Sequence, residues 1–173
     1  MLAKKNMLLF TIIILMFGCA QHSNHEIIID RIINQTDLQL KKEKNLHAIG
    51  SGGSMMGDIQ LAEIYFQYFH LVNLEEARVL LVYAIQTFLK NINENKEVRP
   101  YLHNYPFTTK NIEINIWILQ PNGHYPDQGN IELLALENGI LKYKLVAPSE
   151  FAPWPILKEE TYEEALKILA ENQ

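Results

Sequence analysis

Apolar and polar positions along the chain change period several times, and each change marks an element. Ile29, Ile32, Ile33 and Leu40 recur among charged residues between Ile27 and about Leu46, a spacing that predicts a helix. The glycines of Gly50-Ser51-Gly52-Gly53-Ser54 and Gly57 oppose helix and predict a turn or a bulged strand. From Asp58 to His70, Ile59/Leu61 and Ile64/Phe66/Tyr68 alternate on either side of a slip at Glu63, which reads as a strand. Asn73 followed by Glu76 forms a capping box, and Leu74, Ala77, Leu81, Ala84, Ile85, Phe88 and Ile92 then place one apolar stripe on a helix running to about Asn93. Beyond Pro100 the period drops to two. Ile112, Ile114, Ile116 and Ile118 share one face of a strand; Glu113, Asn115 and Trp117 share the other. Strands over 131–136 and 140–147 flank Asn138-Gly139, a pair suited to the positive φ angles of a tight hairpin turn. Pro148, Pro153 and Pro155 make the following stretch irregular, and Thr161 with Glu164 opens a last helix burying Ala165, Leu166 and Leu169.

The order helix, two strands, helix, three strands, helix predicts an α+β fold. Hairpin-linked strands leave no room for repeated βαβ crossovers, so the expected sheet is antiparallel or mixed, of about five strands, with helices packed on one face.

The N-terminal residues have another logic. Lys4 and Lys5 precede an apolar run from Met7 to Phe17, broken only by Thr11, and Gly18-Cys19 follows at once. This is the layout of an export signal over residues 1–18, and about eleven apolar residues are too few to cross a hydrocarbon core of about 30 Å comfortably. Glycine directly before the only cysteine resembles the lipobox of bacterial lipoproteins, although Met16 and Phe17 stand where leucine and a small residue are usual and Leu15 lies one step too far out. The resemblance implies cleavage before Cys19, acylation of its sulfur, a polar tether over 19–26 and a single domain over 27–173. Ala20 after the cysteine suits outer-membrane sorting. The chain is then exported and lipid-anchored to the cell envelope, at the outer membrane sooner than the inner.

Charge narrows the partners. The chain carries −5 overall, and −7 once Lys4 and Lys5 leave with the signal. Its basic residues are scattered among more numerous acids, so a nucleic-acid partner is not expected. A lone cysteine forms no intramolecular disulfide, and Cys19, His22 and His25 make no complete metal shell if the sulfur is acylated; no metal or cofactor is expected. With 48% apolar and 10% aromatic residues over the full sequence, the chain has the composition of a folded protein, and the mature part is expected to be compact.

Candidate chemistry is sparse. The glycine-serine stretch lacks the Gly-Lys-Ser/Thr ending of a phosphate-binding loop, and neither Ser51 nor Ser54 lies in Gly-x-Ser-x-Gly. His124, Tyr125 and Asp127 sit in the loop before the hairpin without a second His or Cys cluster at ligand spacing, which reads as a solvated loop. Arg99, Tyr101, His103, Asn104 and Tyr105 concentrate hydrogen-bonding and aromatic groups between the main helix and the best strand, and are the candidate binding residues. Gly50 to Met56, Asn73 to Leu81 and Arg99 to Thr108 resemble segments of uncharacterised small lipoproteins or exported proteins of intracellular Gram-negative bacteria, across roughly residues 45 to 147. That resemblance implies an exported domain and supplies no catalytic residue.

Two functional classes remain. One is a membrane-anchored module with a binding or structural role, recognising another envelope component or a host factor. The other is a small envelope hydrolase using Ser51, His103 or His124. No set of groups required for recognised catalysis stands together in the sequence, so the first is the expected class and an enzyme is not.

Overall fold

The computed structural model describes residues 24–172. They form three helices and one six-stranded sheet: α1 (Asn24–Lys44), β1 (His47–Ser54), β2 (Leu61–Tyr68), α2 (Leu74–Glu94), a single 3-10 turn (Arg99–Tyr101), β3 (Ile112–Ile118), β4 (Ile131–Glu137), β5 (Ile140–Leu145), β6 (Ile156–Thr161) and α3 (Tyr162–Glu171). The fold is α+β with a mixed sheet. Strands lie side by side in chain order, all antiparallel except β2 and β3, which α2 joins as a parallel crossover.

Residue pattern explains which face the helices cover. Ala62, Ile64 and Phe66 of β2, the four alternate isoleucines of β3, Leu134 and Leu136 of β4, and Leu141 and Tyr143 of β5 join one buried cluster with Ile29, Ile32, Ile33 and Leu40 of α1, the apolar stripe of α2, and Ala165 of α3. Both capping boxes form: the Asn73 and Thr161 side chains accept from the first turns of α2 and α3, and Glu76 and Glu164 reach back. The tight hairpin turn is present, with Asn138 at φ 49° and Gly139 at φ 81°.

Three local expectations change. The sixth strand, β6, lies where the prolines predict irregular chain up to the last helix. Its burial shows no alternation, because it is an edge strand held by backbone pairing to β5. The slip expected at Glu63 does not occur: alternation runs unbroken through β2, and the irregularity lies before it, where Ile59 pairs with Leu102 instead of joining the strand. Helix α1 begins at Asn24, so residues 24–26, expected in the tether, are helical.

The sheet has two distinct ends. One holds the β1–β2 turn, the connection ahead of β3 and the Asn138-Gly139 turn; the other holds His70 to Asn73, residues 119–130 and residues 146–155. The start of α1 belongs to the first end, since His25 Nε2 lies 3.2 Å from the Met55 carbonyl oxygen, just past Ser54.

Candidate functional site

The connection after α2 is built around Asn93, in the last turn of that helix. Its side-chain amide donates to the Phe107 carbonyl oxygen (2.9 Å) while its side-chain oxygen accepts from the Phe107 N–H (2.8 Å). Its backbone carbonyl accepts from Arg99 Nη2 (3.0 Å) and from the Tyr105 hydroxyl (3.3 Å). The Arg99 guanidinium lies over the Tyr105 ring at 4.8 Å, and its Nε is buried without a hydrogen-bond partner. Phe107 is buried in the core and Tyr101 packs partly against it. Asn111 closes the far side: its side-chain oxygen accepts from the Thr108 N–H, and it exchanges amide hydrogen bonds with Asn104.

This wiring sorts the five candidate binding residues. Arg99 and Tyr101 are half-buried and tied to the scaffold, whereas His103, Asn104 and Tyr105 are exposed, Tyr105 at 51%. His103 Nδ1 lies 2.7 Å from Asp58 Oδ2, and that bond holds the Asp58 carboxyl below its ordinary range. Asp58 Oδ1 also accepts from the Gln60 amide (3.3 Å). His103 is fixed from behind as well, its N–H donating to the Ile59 carbonyl.

The three side chains of the hydrolase reading do not share a site. His103 sits by Asp58 at the first end of the sheet, and His124 follows Ile118 at the second, beyond a seven-residue strand that spans about 20 Å. Ser51 lies midway along β1, opposite Ile64. Of the groups named for catalysis, only His103 gains a carboxylate neighbour. No group of three or more His, Cys, Asp or Glu among the described residues is placed to hold a metal ion.

Two clusters escape the sequence reading. On the helix-free face of the sheet, Glu63 and Glu113 stand side by side across β2 and β3, and the pairing of Ile114 with Leu136 sets Glu137 next in the row. Partial burial, then the charges of Glu63 and Glu137, raise the Glu113 pKa. For Glu137 burial acts upward too, but bonds from Lys142 and Lys144, both 2.7 Å, outweigh it and lower the value. The Tyr65 hydroxyl donates to Glu63 at 2.6 Å, and this bond with burial pushes its pKa up to about 12. Alternation had shown Glu113 opposite the isoleucine face, but only register brings three acids from three strands together. The other cluster is buried. Arg78 of α2 donates twice to Glu160 of β6 (2.6 and 3.1 Å), which also accepts from the Tyr143 hydroxyl (2.8 Å).

Cys19 lies outside the described residues, as do the signal segment and the first part of the tether. No described helix is long and apolar enough to cross a membrane. Comparison with protein-family models, with curated proteins and with solved structures finds no match for this chain.

Proposed function

We propose that the chain is a lipoprotein of the bacterial cell envelope, anchored through acylated Cys19 at the outer membrane sooner than the inner, whose domain binds a protein of the envelope or of a host. One observation carries the binding half of this reading. The connection from Arg99 to Thr108 is held in one shape by Asn93 and Asn111 yet leaves His103, Asn104 and Tyr105 exposed. A surface loop fixed before its partner arrives loses less entropy on binding, and tyrosine and histidine offer contact area together with hydrogen bonds. The anchor half rests on the sequence layout around Gly18-Cys19.

The test compares capture from native membranes by the wild type, His103→Ala and Tyr105→Ala, with melting temperature measured on the same samples. Lost capture with an unchanged melting temperature supports recognition by this loop; unaffected capture returns it to the scaffold. The Asp58–His103 pair favours a second reading, a small hydrolase in which the carboxylate orients the imidazole as general base. Turnover of p-nitrophenyl acetate by the wild type that disappears in a normally melting His103→Gln variant would decide for that reading.

A further inference from the structure

The two edges of the sheet differ in their defences. Strand β6 exposes Lys158 and Glu159, and charges on an edge discourage pairing with another chain. Strand β1 has eight residues without Asp, Glu, Lys, Arg or Pro.

Hydrogen bonding fixes which backbone groups of β1 face outward. The Ala62 N–H donates to the Asn111 carbonyl oxygen (3.1 Å), on the side of β3, so its β1 partner Gly53 is not in a hydrogen-bonded pair and turns its own N–H and C=O away from β2. By alternation Ser51, opposite Ile64, turns the same way. Beyond the irregularity between Ala48 and Gly50, Ala48 also faces out, and its N–H is taken by Asp37 Oδ1 of α1 (3.2 Å). Helix α1 therefore covers one end of the edge. The outward groups of Ser51 and Gly53 have no partner among the described residues.

A groove of about 370 Å³ lies alongside, lined by Glu26, Asp30, Gly52, Gly53, Met55 and Met56. The β1 strand forms one wall, the first turns of α1 with exposed Asp30 form the other, and two adaptable methionines lie at its end. We propose that the free edge from Gly50 to Ser54 is a strand-addition site for an extended protein segment that carries a lysine or arginine facing Asp30. Main-chain hydrogen bonds to Ser51 and Gly53 supply the pairing, and the carboxylate on α1 selects the charge. A second copy of this chain is a poorer occupant, because edge-to-edge pairing would bring the acids of two α1 helices together. This surface is distinct from the Arg99–Thr108 loop and requires neither that loop's function nor the lipid.

The probe is a fluorescein-labelled peptide, Lys-Thr-Val-Thr-Val-Lys, titrated by anisotropy with the full chain in detergent. Saturable binding is expected, and it should weaken about tenfold or more when glutamates replace both lysines. A similar loss is expected with alternate peptide amides N-methylated, and with Ser51→Pro, which removes an outward N–H at an edge where proline is tolerated. Asp30→Asn should weaken binding at an unchanged melting temperature. If Ser51→Pro does not fold, the methylated peptide on the wild type still decides. Absence of saturable binding up to millimolar peptide, equal binding of the methylated peptide, or a dimer in sedimentation that the peptide does not dissociate would overturn the proposal.

Discussion

Asn93 gathers four hydrogen bonds at the end of α2, and the shape of the candidate loop depends on it. Removing its side chain leaves the Phe107 N–H and C=O without partners, so Asn93→Ala should cost about 1–3 kcal/mol and speed hydrogen exchange across the loop. Arg99→Ala should lower the melting temperature more than Tyr105→Ala: each deletes the stacking and one bond to the Asn93 carbonyl, but Arg99 is half-buried with the shorter bond, whereas Tyr105 is 51% exposed. Recognition is therefore better probed at Tyr105 than at Arg99. The Arg78–Glu160 pair makes a sharper forecast. Glu160→Ala leaves a buried guanidinium uncompensated and should destabilise by about 3–5 kcal/mol, while replacing both partners with apolar residues of similar volume should cost much less. Urea melts of the single and double variants separate the two effects. Neither residue was legible as a partner: a charged position reads as exposed until the tertiary fold brings its counter-ion across 82 positions.

Elements with strong local codes were the ones that could be read. The two capping boxes, the period-two isoleucines of β3 and the Asn138-Gly139 turn each rest on interactions within a few residues, and all appear where expected. Gly139→Val tests the turn: a β-branched residue at φ 81° is strained by about 1–3 kcal/mol, and its Cβ would also lie 3.4 Å from Thr109 Oγ1. A drop in melting temperature is the expected result. Strand β6 was not legible because an edge strand needs no alternation, and its ladder to β5 is a tertiary fact. The same holds for the acid row of Glu63, Glu113 and Glu137. Here a pH dependence follows. The Glu113 pKa is raised in the folded state, so its contribution is favourable below the unfolded value and is lost as pH rises through the folded one. Glu113→Gln should thus raise the melting temperature at pH 7, and the gain should vanish as the pH falls below about 4. A gain that persisted in acid would point to packing instead of charge.

At the scale of the whole molecule, the placement of α1 orients everything else. Its first residue, Asn24, lies at the end of the sheet that carries the Arg99–Thr108 loop, and four residues separate it from Cys19, five Cα-to-Cα steps with a reach of at most about 18 Å. On the proposed lipidation of Cys19, that loop would lie close to the bilayer, where a partner would be another membrane component. The opposite end, with exposed Tyr125, Phe151 and Trp154, would face away. One acyl chain holds only reversibly and several hold firmly, so a multiply acylated cysteine would keep this orientation. All of it depends on the modification at Cys19. The most direct measurement is metabolic labelling of cells expressing the full chain with an alkyne fatty acid, beside Cys19→Ser, followed by detergent-phase partition. Lipidation predicts a labelled wild type in the detergent phase and an unlabelled variant in the aqueous phase; an unlabelled wild type, or equal partition of the two, would contradict it.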